Sequence, residues 1–185
     1  MVITKTSIYC GENYFHRVDK DIIYDDIPPL IGCLISDKDG KSLVSFEIFE
    51  GAIQHFTNGK YMNKNADIEN SIDIDLIPMY TSAIEMLTRE LNINGVPYIE
   101  VNGSNLKLRI LFCFKNFTIV MFLNPSMKFI LIENEVKNYF LNLFEEFRED
   151  LNDVKKFSSM EFLKFIDRVG WRWLLELNEI YLSSI

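Results

Sequence analysis

The sequence has few of the residues that carry disulfide or metal chemistry. Among 185 residues there are two histidines and three cysteines, and Cys10, Cys33 and Cys113 lie far apart without a Cys-x-x-Cys or Cys/His spacing. An odd number of scattered cysteines predicts neither a disulfide framework nor a zinc site. The pattern therefore indicates a reducing, cytoplasmic compartment and no bound metal.

The sequence also lacks the motifs of the common enzyme classes. It contains no GxxxxGK[ST] or GxGxxG segment for nucleotide phosphates and no GxSxG segment around a nucleophile. The two histidines, His16 and His55, are not accompanied by a serine or cysteine in such a context. We therefore expect no catalytic residue, no cofactor and no enzymatic activity.

Basic charge and long apolar runs are scarce as well. Lysine and arginine number 19 against 27 acidic residues, which gives a net charge of −8. Nucleic acids and anionic membranes attract clustered basic residues, so neither is an expected partner. Because no apolar run approaches the ~18 residues of a membrane span and neither end carries a targeting or lipidation signal, we expect a soluble chain with protein partners and no integral membrane segment.

What the sequence does contain is enough apolar material for a core. Hydrophobic residues make up 48% of the chain and aromatic residues 14%, which suits one domain of ordinary size. Residues 1–28 read as an N-terminal extension that ends at the Pro28-Pro29 pair. Residues 29–185 read as the domain.

A β-hairpin opens the domain. Two β-type runs in residues 30–49 flank Asp37-Lys38-Asp39-Gly40, and Val44, Phe46 and Ile48 alternate with polar residues in the second run. The same four residues could begin a calcium loop, but its twelfth position would be Ile48 instead of a glutamate. A plain turn is the better interpretation.

After a polar loop over 50–71, with at most a short helical turn at 52–56, the spacing predicts a helix from Asp75 to Asn92. Asp73 and Asp75 read as helix caps better than as paired acid/base carboxylates. The helix has two apolar stripes, one expected to meet the sheet and the other to need a further partner. The first is Tyr80, Ile84, Leu87 and Leu91; the second is Leu76, Met79, Ala83 and Met86.

Three β-type runs joined by Asn-containing turns follow, and Pro97 restricts the first of them to a sheet edge or to its own start. Two amphipathic helices then complete the chain, with Gly170 as a point where the last one could kink. The expected buried stripes are Ile132, Val136, Phe140, Leu143, Phe147 and Leu151 in one, and Phe162, Phe165, Val169, Trp173, Leu177 and Ile180 in the other.

Two further expectations concern single side chains. Cys33 and Cys113 lie in predicted strands and are expected to behave as small buried apolar groups. Trp171 and Trp173 lie about 200° apart on a helix, so both cannot face one core. One of them is expected to be either an exposed anchor for a partner or covered by residues 1–28.

The order β-β-α-β-β-β-α-α resembles the longin domain family from Leu30 to about Tyr181. The segments that carry the resemblance are ISDKDGKSLVSFEIF, IDIDLIPMYTSAIEMLTREL and NEVKNYFLNLFEEF. The resemblance implies an α/β (α+β) three-layer sandwich with a five-stranded antiparallel sheet in the order 2-1-5-4-3, the first helix on one face and the last two on the other. Roadblock domains place a helix before the first strand, which residues 1–28 do not predict.

The resemblance also implies a function, and here it stands on fold-level analogy. Longin-like domains act as interaction modules in vesicle trafficking and with small GTPases, so the expected partners are a small GTPase, another longin or roadblock subunit, or a second copy in a homodimer. Because neither the coil nor the anchor of a fusion SNARE follows the domain in this sequence, a fusion SNARE is not expected. The alternatives are a small-ligand-binding α/β domain with a site under the 50–71 loop and a roadblock-type scaffold subunit. The implied partner interface is Val44, Phe46, Ile48, Met79, Ala83 and Met86.

Overall fold

Five antiparallel strands form one sheet in the computed structural model, which describes residues 28–58, 74, 76–93, 95–146 and 160–185. The strand order is β2-β1-β5-β4-β3. The predicted α+β class with a five-stranded antiparallel sheet is therefore confirmed. The strands are β1 (Leu30–Asp37), β2 (Ser42–Glu47), β3 (Tyr98–Asn102), β4 (Lys107–Leu111) and β5 (Phe117–Leu123); the helices are α1 (Ala52–Asn58), α2 (Leu76–Glu90), α3 (Glu133–Glu146) and α4 (Met160–Ser183), with a 3₁₀ turn at Phe129–Leu131.

The turn of the first hairpin is built by Asp37. Its side-chain Oδ1 accepts hydrogen bonds from the backbone N–H of Asp39 at 3.1 Å and of Lys41 at 2.8 Å. Gly40 has φ of 86°, a value that side chains other than glycine rarely adopt. The predicted hairpin is confirmed, and Asp37 acts in it as a turn residue.

The sheet separates two apolar clusters. Strands β1 and β5 lie inside the sheet and are buried on both faces, because successive side chains alternate between the clusters. One cluster joins the sheet to α3 and α4, and the other joins the opposite face to α1. Pro97 directly precedes the edge strand β3, as its missing N–H predicts.

Helix α1 is an addition to the predicted order of elements. The sequence predicted at most one helical turn here, because seven residues are too few for a clear helical period. Ala52, Ile53 and Phe56 are nonetheless buried against the sheet, and Ile53 donates its N–H to a Glu47 carboxylate oxygen at 3.0 Å. Burial of the Glu47 carboxyl group raises its pKa above the usual value.

The buried stripe of α3 is as predicted for Ile132, Val136, Phe140 and Leu143, whereas Phe147 and Leu151 lie outside the described residues. The stripe of α4 is wrong in part, since Phe165 and Ile180 are exposed by 36% and 44%. Trp173 and Leu177 of the predicted stripe are buried, but the helix is rotated so that Ile166, Leu174 and Tyr181 take the place of Phe165 and Ile180. Among the residues of α4 whose burial is described, which exclude Phe162, the buried apolar ones are Ile166, Trp173, Leu174, Leu177 and Tyr181.

Gly170 explains the rotation of α4. The helix runs through it without interruption, and a Cβ atom at this position would lie 2.5 Å from the ring of Phe46. The glycine thus lets β2 and α4 approach closely. Trp173 packs beside this contact, with its ring stacked on Tyr139 at 4.0 Å between centroids, while Trp171 is half-buried.

Asn178 ties α4 to the start of β1. Its side-chain Oδ1 accepts the N–H of Leu30 at 2.8 Å, and its Nδ2 donates to the Leu30 carbonyl at 3.0 Å and to the Leu174 carbonyl at 3.0 Å. The amide group therefore pairs with the backbone of β1 as a neighbouring strand would.

Candidate functional site

The most unusual surface of the protein is the side of α2 that faces away from the sheet. Its large apolar side chains are exposed by between 42% and 66%. Single exposed apolar residues are normal, but here they form one continuous stripe along the helix. We call this stripe the outer face of α2: Leu76, Met79, Tyr80, Ala83, Met86, Leu87 and Leu91, continued by Ile93.

The size of the outer face is that of an interface. Five of its residues within α2 are Leu, Met or Tyr, and with Leu91 and Ile93 they expose on the order of 700 Å² at roughly 100 Å² for each half-exposed side chain. The largest apolar patch on a monomer is typically about 300–600 Å². A standard protein interface buries about 800 Å² on each partner.

The opposite side of α2, which rests on the sheet, combines apolar and polar contacts, and Ile77 packs partly buried against the apolar cluster that α1 covers. Thr81 and Ser82 are buried there together with Pro78. The Ser82 hydroxyl donates to the Lys38 carbonyl at 2.8 Å, and the Lys38 ammonium lies 3.1 Å from a carboxylate oxygen of Glu85. Polar contacts to the first hairpin turn thus seat the helix.

This orientation corrects the prediction for α2. The stripe expected to meet the sheet is exposed at Tyr80, Leu87 and Leu91, and only Ile84 is half-buried. The reason lies in the hairpin turn, because apolar side chains at its surface would leave the Lys38 ammonium and carbonyl without these partners. The polar residues Thr81, Ser82 and Glu85 could have indicated which side of α2 faces the sheet. That interpretation requires knowing that Lys38 lies next to them in the fold.

The structure places the predicted interface residues on two different surfaces. Met79 and Met86 are 59% and 62% exposed on α2, and Ala83 is exposed beside them. Val44 is half-buried in β2, an edge strand, and packs against the cluster on the α4 side. Ile48 follows β2 and is also half-buried. The two groups therefore do not share one apolar face.

Phe46 is not part of an accessible surface. Only 4% of it is exposed, because its ring lies against Gly170 and Trp173. Its side chain belongs to the core, and the candidate interface loses this residue.

The other edge of the sheet, β3, exposes two apolar side chains that sequence reasoning did not single out. Tyr98 and Val101 are 41% and 48% exposed. The Tyr98 ring lies over the guanidinium of Arg109 at 3.2 Å, and Arg109 pairs with Glu100 at 3.0 Å and Glu133 at 3.7 Å. The carboxylates of Glu100 and Glu133 are thus paired with Arg109, which lies on the strand next to β3.

The space under α1 is filled, which bears on a ligand site beneath the 50–71 loop. Ile53 is 1% exposed, and a Cβ atom added at Gly32 would lie 2.7 Å from its side chain. Residues 59–71 of that loop lie outside the described residues. A groove of about 360 Å³ is found instead between α3 and α4, and its lining includes Tyr139, Leu143 and Trp173.

The two described cysteines, Cys33 and Cys113, and His55 lie in ordinary structural environments. Burial raises the pKa of the Cys33 thiol well above its usual value, and Cys33 is buried as predicted. The prediction that Cys113 is buried is wrong, because β4 ends at Leu111 and the thiol is exposed in the following turn. His55 is exposed on α1, where its ring packs edge-on against Phe56.

Within the described part of the chain, no group of three or more His, Cys, Asp or Glu side chains is arranged to hold a metal ion. None of the described helices combines the length and apolar character that crossing a membrane requires. Asp73, Asp75, His16 and Cys10 lie outside the described residues.

A scan against protein-family models finds no match, and a search of curated proteins finds no significant similarity.

Proposed function

We propose that this chain is a longin-like, non-enzymatic interaction module that binds a protein partner through the outer face of α2. The partner is a small GTPase or another longin or roadblock subunit, in membrane-trafficking-type signalling. The observation that carries the proposal is the outer face itself, which exposes an interface-sized apolar surface while the side with Pro78, Thr81 and Ser82 is seated on the sheet.

The longin-like part of the proposal is supported by the arrangement of the sheet. Its strand order of 2-1-5-4-3 is the order that the resemblance implies, and helices lie on both of its faces. The short helix α1 is an additional element. Fold-level likeness supports a class of partner and does not identify one.

A small-ligand-binding function has less support. Beneath α1, the side chain of Ile53 is buried and lies close to Gly32 of the sheet. The groove between α3 and α4 is open and lies elsewhere. An interaction module accounts for the exposed helix, whereas a ligand site does not.

The test replaces Met79 and Met86 with glutamate in one variant. Both side chains are more than half exposed, so the unfolding free energy should change by no more than about 0.5 kcal/mol for each substitution. A charge at the centre of an apolar interface should abolish binding. The matched control is Leu141→Glu, which adds a charge at an apolar residue 56% exposed on α3.

Binding is measured in two ways with all three proteins. Light scattering over a range of concentrations reports self-association, and affinity capture from native extract with identification by mass spectrometry reports partners of the proposed classes. We expect the wild type and Leu141→Glu to associate and the α2 variant to lose association. A wild type that is strictly monomeric and captures the same proteins as the α2 variant would refute docking through α2.

A further inference from the structure

The side chain of Lys38 bridges the sheet and α2. Its ammonium lies 3.1 Å and 3.2 Å from the two carboxylate oxygens of Glu85. On the sheet side, it also donates to the Thr118 hydroxyl at 3.4 Å and to the Phe112 carbonyl at 3.5 Å. The ammonium is thus held by the end of the sheet and by the helix at once.

Glu85 has a second basic partner that does not join the helix to the sheet. Arg89 lies one turn further along α2, 2.7 Å from Glu85, with its side chain 66% exposed. Loss of Lys38 therefore leaves the partly buried Glu85 carboxylate paired, while the ionic link from α2 to the hairpin is removed. This arrangement separates the effect of the link from the effect of an unpaired charge.

The face of the sheet that carries α2 also has apolar surface that the described residues leave uncovered. Val101 is 48% exposed, and alternation along β3 places it on the same face as Ile99. Ile99, Leu106 and Leu108 are only half-buried. A helix released from the hairpin could turn its apolar side onto this strip, because that would remove both apolar surfaces from water.

We propose that Lys38 and Glu85, assisted by the Ser82 hydrogen bond to the Lys38 carbonyl, form a latch that positions α2. The latch holds the outer face of α2 towards solvent, where a partner can reach it. Without the latch the helix leaves its seat, and the docking surface loses its orientation. The role of the latch rests on the proposed docking function, whereas its mechanism depends only on contacts within the chain.

Cysteine labelling of the isolated full chain tests the latch. One added cysteine replaces Met79, which is 59% exposed, or Thr81, which is 2% exposed, in a background with Cys10→Ser and Cys113→Ser. The remaining native thiol, Cys33, is buried, and its reaction rate in the background without an added cysteine is subtracted. The ratio of their maleimide reaction rates reports which side of α2 faces solvent. It should be high in the latched chain.

Lys38→Met should lower this ratio about ten-fold, the factor that corresponds to about 1.4 kcal/mol. Arg89→Met, the control, removes the other basic partner of the same carboxylate and should leave the ratio within about two-fold of the original value. Glu85→Gln is measured in parallel and should act like Lys38→Met. Circular dichroism checks that each variant is folded.

An unchanged ratio in Lys38→Met and Glu85→Gln overturns the latch, and so does an equal decrease in Arg89→Met. Labelling needs no partner, so a chain that fails to associate refutes the proposed function and leaves the labelling result valid. Conversely, a chain that binds through α2 but shows the same ratio in every variant refutes only the latch.

Discussion

Asn178 should be one of the most important polar residues for stability. It is 8% exposed, and its amide makes two hydrogen bonds to the backbone of Leu30, which is itself fully buried. Replacement by leucine keeps the size of the side chain but removes both bonds. The Leu30 N–H then loses its acceptor in a site that water does not reach.

The magnitude follows from these contacts. An orphaned buried donor costs about 1–3 kcal/mol, and each additional lost hydrogen bond costs about 0.5–1.5 kcal/mol. The third bond, to the Leu174 carbonyl, lies within one helix turn and adds less. We expect Asn178→Leu to lower the unfolding free energy by about 2–4 kcal/mol, against less than about 0.5 kcal/mol for an exposed substitution.

Urea unfolding followed by circular dichroism and tryptophan fluorescence measures this difference. The control is Asn138→Leu, the same substitution at an exposed position of α3. If the two variants lose equal stability, or if Asn178→Leu loses less than about 1 kcal/mol, the pairing of Asn178 with β1 contributes nothing and the reasoning is refuted.

Three further predictions concern other parts of the fold. Gly170→Ala should lower the unfolding free energy by about 1–3 kcal/mol, because the added methyl group would meet the Phe46 ring. This loss is expected although alanine is the better helix former by about 1 kcal/mol. In a double-mutant cycle, Phe46→Leu should recover part of the loss. Leu87→Gln should change the unfolding free energy by less than about 0.5 kcal/mol, whereas an inward-facing leucine would cost several times more. Burial raises the pKa of Tyr139 to about 12, so stability should be complete below the unfolded pKa near 10 and decrease as the pH rises towards 12. Tyr139→Phe should remove that decrease in pH-dependent unfolding curves and be neutral or stabilising at pH 7, because the buried hydroxyl has no hydrogen-bond partner among the described residues.

Elements marked by local signals could be predicted from the sequence. The first hairpin follows from Asp37 and Gly40, which act within a few residues of each other. The stripe of α3 follows from a period of 3.6 over several turns, and Val136 and Phe140 are fully buried as it predicts. Such signals need no knowledge of distant parts of the chain.

The orientations of α2 and α4 could not be predicted in this way, because each depends on a distant residue. The seat of α2 is set by Lys38, 47 positions from Glu85 in the sequence. The rotation of α4 is set by the contact of Gly170 with Phe46. The sequence predicted a kink at Gly170 and a partner interface at Phe46. Both contacts appear only once the sheet has brought the elements together.

The outer face of α2 is large enough to bind a partner but too small to hold one alone. Its seven large apolar residues are about half exposed, so covering them gains roughly 5–10 kcal/mol at about 1.5–3 kcal/mol for each fully buried side chain. Association costs an estimated 4–15 kcal/mol in lost freedom of motion. The balance leaves weak binding at most, so a stable complex needs further contacts. The sheet has an uncovered edge at β3, where Tyr98 and Val101 are exposed, and a second edge strand at β2. A partner that adds a strand at either edge would supply backbone hydrogen bonds in addition to the apolar contact with α2.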